Sequence, residues 1–210
     1  MCIPQAIDSA AVSDEPLDAA SSAASLHTPV ADVLALESIG SDHWRGHTPP
    51  GSDRPDIFGG QVASQCLRAA DLTIEGEHLP NSVHCYFLRR GRPDLPLDIH
   101  VERVRTGRTY ASRRVEAVQD AKVIFTLIVS FHTPEPGREF DSPSPVGVAD
   151  PETLEPPSPL LSGAAPFDTR SVPTEGVEVG WWARVRDRLG EEPILHYCAL
   201  LYASDMHAGG

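Results

Sequence analysis

No lysine or arginine occurs before Arg45. A secretory signal needs a basic n-region and a mitochondrial transit peptide needs arginines, so residues 1–44 are expected to be neither. No run approaches the roughly 20 apolar residues of a membrane span. Cysteine is scarce: Cys2, Cys66, Cys85 and Cys198 are the four, and none forms a C-x-x-C pair. Three of them sit in apolar periodic segments, where a free thiol packs as a small hydrophobe. Together these features suggest a reduced, cytoplasmic protein rather than a disulfide framework or a zinc site. Basic residues number 17 against 30 acidic ones, for a net charge of −13. That balance argues against a nucleic-acid partner, which would call for a basic face. No G-x-S-x-G elbow is present, which argues against a serine-hydrolase mechanism. His84, His100 and His196 lack metal-ligand spacing with acidic or cysteine neighbours, so no metal is expected.

What is present is organised around one stretch, Ile57 to Ala70. Gly59 and Gly60 carry no Cβ, so the chain there can turn sharply and approach another element closely. Val62, Cys66 and Ala69 then follow at helical spacing, flanked by Ala63, Leu67 and Ala70. This is the apolar stripe of a helix with mostly small side chains. Strand patterns come after it. Val83 to Leu88 is apolar on both faces and calls for cover on each. Leu97, Ile99 and Val101 alternate with Asp98, His100 and Glu102, a half-buried strand. A hairpin turn is expected at Arg105 to Arg108, a strand from Thr109 to Gln119, and a turn from Gln119 to Lys122. Val123 to Phe131 then places Val123, Phe125, Leu127, Val129 and Phe131 on one face, with Ile124 and Ile128 on the other. Antiparallel strands joined by tight turns need no crossover helices. The expected fold class is therefore α+β, an antiparallel sheet wrapped round a central helix.

Residues 1–29 are rich in Ala, Ser, Asp and Pro and read as a disordered tail. Val30 to Leu36 has a short helical pattern, Leu36 to His47 a first strand, and 48–56 a loop. Residues 133–166 hold nine prolines and read as a linker. Order resumes with a strand from Val177 to Val185, containing Trp181 and Trp182 as core and edge. A helix then opens at Glu191-Glu192-Pro193 and runs through Leu195, Cys198 and Leu201 toward Asp205.

Three blocks resemble the acyl-CoA thioesterase II family of double hot-dog enzymes. They are Phe58 to Val62, Val83 to Gly91 with Val101 to Val115, and His196 to Asp205, in that order and spacing. The resemblance implies two hot-dog repeats whose sheets join: the first over 30–132, the start of the second over 167–210. It implies hydrolysis of fatty acyl-CoA to free acid and CoA, with no cofactor. The family's catalytic aspartate matches Asp205. Its hydroxyl and glutamine partners lie further on, in the second repeat, and the chain looks truncated before them. An incomplete second repeat would leave apolar surface uncovered, so a homo-oligomer is expected.

The residues themselves can be weighed against that chemistry. A thioester needs a positioned water, a carboxylate to orient and deprotonate it, and N–H donors for the oxyanion. Asp205 suits the carboxylate role; its plainer reading is a helix cap. Gly59, Gly60 and Gln61 could present helix N–H groups to a carbonyl or phosphate, or simply make a turn. Between His84 and Val115 stand eight arginines: Arg89, Arg90, Arg92, Arg103, Arg105, Arg108, Arg113 and Arg114. Only Asp94, Asp98 and Glu102 oppose them, leaving the segment net +5. Arg suits phosphate contact, so Arg89 and Arg90 are candidates for the CoA phosphates; a solvated face with ion pairs is the alternative. Two rival functions remain: a non-catalytic acyl-CoA binding or interaction module, and an enoyl-CoA hydratase. A hydratase would want a close Asp and His; Asp53 and Asp56 precede the helix, but no histidine follows within it.

Overall fold

The computed structural model describes residues 29–50, 54–138, 148–155, 166–173 and 180–206. The expectations for residues 1–28, for Asp53 and for the start of the Val177 strand lie outside these residues. The described chain opens with α1 (Val30–Val33), β1 (Leu36–Gly40) and β2 (His43–Gly46). The one strand expected over 36–47 is thus a hairpin, because the chain reverses at Ser41–Asp42. Asp42 holds φ at +54°, a conformation that Asp tolerates better than most residues. Its carboxylate takes a fork of hydrogen bonds from Arg103 at 2.8 and 2.9 Å, 61 residues away in sequence. Long-range partners fix this turn, and no local pattern displays them.

Next come α2 (Gly59–Asp71), β3 (Leu79–Phe87), β4 (Leu97–Thr106), β5 (Tyr110–Gln119) and β6 (Lys122–His132). The six strands make one antiparallel sheet in the order β1-β2-β4-β5-β6-β3. Across β4, β5 and β6 lies α2. It buries Val62, Cys66, Ala69 and Ala70 in one core with Ile99, Val115, Leu127 and Phe131. Each large apolar side chain buried there stabilises the fold by about 1.5–3 kcal/mol. The alternation expected in β4 holds, with Leu97, Ile99 and Val101 buried.

Two readings of the strands need correction. Val83 to Phe87 lies in β3, an edge strand: Val83 and Cys85 pack against the core, while Tyr86, Phe87 and the following Leu88 stay 59, 54 and 49% exposed, so among the described residues only one face is covered. Ile124 does not share a face with exposed Ile128. The β5–β6 register shifts between Ala117 and Val118, whose partners are Phe125 and Val123. Ile124 is the extra residue, and a bulge of this kind re-aims its side chain; Ile124 is buried. The turns are also adjusted. Strand β4 runs through Thr106, and Gly107 N–H donates to the Tyr110 carbonyl at 3.0 Å. Asp120 and Ala121 both take positive φ, the type I′ geometry that suits strand twist.

Arg113 is neither a surface cation nor a phosphate contact. It is fully buried. Its guanidinium donates to Thr73 Oγ1 at 2.6 Å, to the Thr73 carbonyl at 3.1 Å and to the Arg105 carbonyl at 2.7 Å. It ties the end of α2 to the β4–β5 ribbon.

Beyond β6 a 3₁₀ turn spans Pro151–Thr153, followed by β7 (Phe167–Val172) and β8 (Gly180–Val185), an antiparallel pair. The turn is tied to β8: Arg184 donates to Glu152 at 3.0 Å and Trp182 Nε1–H to the Ala149 carbonyl at 3.1 Å. Strand β7 is absent from the sequence reading because only Phe167 in it is buried. Finally α3 (Pro193–Ser204) starts with proline in its first turn, as its sequence signals require. It packs along α2 and touches β3.

Candidate active site

The N-terminus of α2 begins without a side-chain cap of its own, because Phe58 stands at the N-cap and has no polar group. The first amides of any helix lack intrahelical partners. One is satisfied from another element: Gly60 N–H donates to Asp205 Oδ2 at 2.9 Å, 145 residues away. Asp205 is the C-cap residue of α3. Its backbone thus ends α3 while its side chain caps α2. A carboxylate there also meets the positive end of the α2 dipole.

Three features bring the helices together at this point. A Cβ on Gly60 would collide with the Tyr202 carbonyl, and one on Gly59 would stand 2.6 Å from Asp205 Oδ2 and 2.8 Å from Phe87 Cε1. Ser64 Oγ lies 2.6 Å from the Gly60 carbonyl and 2.9 Å from that of Cys198, bridging the two helices. Tyr202 packs its ring 4.8 Å from Phe58 and 5.4 Å from Phe167. Burial pushes the Tyr202 phenol up to about 12, with Arg54 opposing the rise and Asp205 adding to it. Cys85 is also pushed up, by burial first and then by Asp205. Asp205 therefore sits among Gly59, Gly60, Phe87, Cys85 and Tyr202.

Beside Gly59 opens a cavity of about 420 Å³. Its apolar wall is Ile57, Val62, Phe87, Ile124 and Phe125, and Asp56, Arg89 and Arg90 supply its charged groups. Arg90 pairs with Asp56 at 2.6 Å and is 86% exposed on its side chain. Arg89 donates to the Val123 carbonyl. Of the eight arginines between His84 and Val115, these two line the cavity. The ion-pair reading describes Arg92, Arg103 and Arg114, which bond Asp94, Asp42 and Glu102. Gln61 does not join the site: it is buried, with its amide toward the His47 carbonyl and Thr48 Oγ1, each at 3.3 Å. One residue along a helix turns the side chain by about 100°, which separates Gln61 from the Gly60 face.

The histidines weighed as ligands are dispersed. His84 meets the edge of Tyr86, His100 stacks on His43, and His196 Nε2 lies 3.3 Å from the Gly190 carbonyl. Among the described residues no group of three or more metal-ligating side chains converges. No helix there is long and apolar enough to cross a membrane. The sequence reading missed the cavity wall. Its signal, had it been usable, was the placement of Phe87 and Ile124 at a strand end and a bulge.

Comparison with known proteins adds a second line. Residues 48–132 match the family described as the acyl-CoA thioesterase N-terminal domain. Acyl-coenzyme A thioesterase 8 of Rattus norvegicus is 33% identical over 217 residues, 84% of this chain and 64% of the relative. Acyl-CoA thioesterase 2 of Haemophilus influenzae is 30% identical over 200 residues, 83% of this chain and 68% of the relative. The solved acyl-CoA thioesterase II TesB2 from Mycobacterium marinum is 33% identical with a TM-score of 0.73, covering 85% of this chain and 68% of that one. This chain belongs to the acyl-CoA thioesterase II family. It spans 64% of the length of the rat relative. The fold is the hot dog: a protein from Alicyclobacillus acidocaldarius described with that fold superposes with a TM-score of 0.70 at 21% identity, over 84% of this chain and 68% of that one. In this hot dog the helix that the sheet wraps is α2, and its N-terminus holds both Gly60, bonded to Asp205, and Gly59, which lines the cavity.

Proposed function

We propose that this protein hydrolyses fatty acyl-CoA to free fatty acid and CoA, with Asp205 as the carboxylate that orients and deprotonates the water. The observation that carries the reading is the 2.9 Å bond from Gly60 N–H to Asp205 Oδ2 beside an apolar cavity. A helix N-terminal amide and a general base stand together, with room for a hydrocarbon alongside.

The chemistry follows from that geometry. The thioester carbonyl oxygen takes over the Gly60 amide at the positive end of α2, displacing the carboxylate from it. Asp205 accepts a proton from water as the oxygen adds to the carbonyl carbon, and the oxyanion is stabilised by the helix amide. Collapse breaks the C–S bond. The leaving thiolate is weakly basic, its thiol having a pKa of about 8.5, and it takes the proton that Asp205 held. No covalent nucleophile is needed. Arg89 and Arg90 line the cavity and would meet the CoA phosphates, Arg90 exchanging Asp56 for phosphate.

Two repeats belong to the same proposal, one over 30–132 and a second opening at 167, with 133–166 as the connection. So do a cytoplasmic location and a homo-oligomer. The thiols of Cys66, Cys85 and Cys198 are unpaired and pushed up by burial, which suits a reducing compartment. The test is release of CoA thiol from acyl-CoA by the purified chain. Turnover is the expected result. Binding of acyl-CoA without turnover would overturn the hydrolase reading and leave a binding module.

A further inference from the structure

Helices α2 and α3 end on the same pattern. Leu67 to Leu72 reads Leu-Arg-Ala-Ala-Asp-Leu, and Leu201 to Met206 reads Leu-Tyr-Ala-Ser-Asp-Met. Asp71 is thus the counterpart of Asp205, and Arg68 of Tyr202. Contacts between the helices run in antiparallel order, Gly60 to Asp205, Ser64 to Cys198 and Arg68 to Glu192. Residues four apart share a helix face, so all three lie on one side of α2. We infer that Arg68 is a positioning residue: it clamps the far end of α3 through Glu192 and so holds Asp205 on Gly60, an inference that rests on the thioesterase reading above.

The clamp is a single guanidinium. Arg68 Nη1 donates to Asp71 Oδ2 at 3.2 Å, and Nη2 stands 3.1 Å from Glu192 Oε2. It therefore grips a carboxylate from each helix, a fork that Arg offers and Lys does not. Burial pushes the Asp71 carboxyl up; Arg68 opposes the rise and Glu192 adds to it. The two carboxylates favour staying close only with the cation between them. At one end of the helix pair an aspartate is held by a helix amide, and at the other its counterpart is held by Arg68. Pro193, in the first turn of α3, stands where α2 has Gly59, and proline has no N–H to give.

The geometry of α3 carries the clamp to the site. Glu192 is its N-cap and Asp205 its C-cap, and the 12 residues between span about 18 Å. Cys198 lies near the middle, where its carbonyl meets Ser64 Oγ at 2.9 Å. A rod held at its middle has its angle fixed by its ends. Released at Glu192, α3 pivots about Ser64 and its Asp205 end moves. The Tyr202 carbonyl already occupies the place of a Cβ on Gly60, so α3 cannot swing inward and the motion takes Asp205 outward. The bond to Gly60 stands at 2.9 Å, and N–H···O bonds extend to about 3.2 Å. A displacement of a few tenths of an ångström is enough to lose it.

The experiment follows three readouts in the full chain. They are kcat for CoA release from a medium-chain acyl-CoA, affinity for the matching S-alkyl-CoA thioether, which binds but cannot be hydrolysed, and the amide resonance of Gly60 in protein labelled with nitrogen-15 glycine. Wild type is compared with Glu192→Ala and with the exchange variant Arg68→Glu/Glu192→Arg, and Asp205→Ala marks the resonance of an unbonded Gly60. Glu192 is 64% exposed on its side chain and makes no cap bond with it, so its truncation leaves the fold in place. The inference requires that Glu192→Ala move the Gly60 resonance toward that of Asp205→Ala. It also requires kcat lower by about two- to fivefold, the range a part-exposed ion pair supports, with thioether affinity unchanged and both effects reversed in the exchange variant. A lower unfolding midpoint for Glu192→Ala with wild-type kcat and an unmoved Gly60 resonance overturns it, leaving Arg68 a stabilising ion pair and the thioesterase reading intact. A wild type that releases no CoA overturns the thioesterase reading; a Gly60 resonance unmoved by Glu192→Ala overturns the inference whatever the turnover. If the exchange variant fails to fold by circular dichroism, Glu192→Ala alone decides.

Discussion

Thr73 shows how much one side chain can hold. Its hydroxyl accepts from Arg113 Nε at 2.6 Å and donates to the Ala70 carbonyl at 2.7 Å. Thr73→Val keeps the shape but leaves a buried guanidinium N–H unpaired, a loss of about 1–3 kcal/mol. Urea unfolding of the variant measures it, and an unchanged midpoint would contradict the role given to Arg113. His43 carries a pH dependence. Burial holds its imidazole below the ordinary value, and His100, stacked at 3.7 Å, lowers it further. The unfolded chain takes that proton near pH 6.5, whereas the folded chain resists it. This contribution to stability is therefore intact above pH 6.5 and is lost as pH falls below it, until the folded imidazole itself titrates. Thermal unfolding followed from pH 8 to pH 5 should show a shallower decline for His43→Gln than for wild type.

At the scale of elements, the crossing of α2 and α3 is the critical joint. Gly60→Ala drives a methyl group at the Tyr202 carbonyl and the Phe58 ring. Overpacking of this kind costs about 1–3 kcal/mol, and moving α3 withdraws Asp205 from Gly60. The expected result is a folded, less stable protein with turnover reduced at least tenfold, read by chemical unfolding and CoA release on the same sample. The elements were largely legible in the sequence, because small apolar residues at helical spacing write α2 and alternation writes β4 and the core face of β6. The resemblance singled out Asp205, but its contact with Gly60 was not legible. The Gly60–Asp205 bond spans 145 residues, and local periodicity carries no information over that distance. The same limit hid the Asp42 turn, held by Arg103, and the bulge that turns Ile124 inward, where a single extra residue breaks the two-residue period. Gln61 looked like part of the site because it adjoins Gly60 in sequence, and helix rotation takes it elsewhere.

At the scale of the molecule, β3 is an edge. From Leu79 to Leu88 there is no Lys, Arg, Asp or Glu, and Tyr86 and Phe87 are exposed. Edge strands are ordinarily blunted by charge to prevent pairing with another chain. Sedimentation at rising concentration should therefore show self-association, and Tyr86→Lys should shift the distribution toward monomer; a wild type that stays monomeric throughout would contradict the proposed oligomer. The central claim joins the two helices to the chemistry. Its most direct test is the rate of CoA release from a medium-chain acyl-CoA by wild type and by Asp205→Asn, with thioether binding measured beside it. Asn keeps an acceptor for Gly60 N–H and removes the base. The account predicts turnover lower by about 10²–10⁴-fold with thioether affinity preserved. Turnover by Asp205→Asn at the wild-type rate would contradict it.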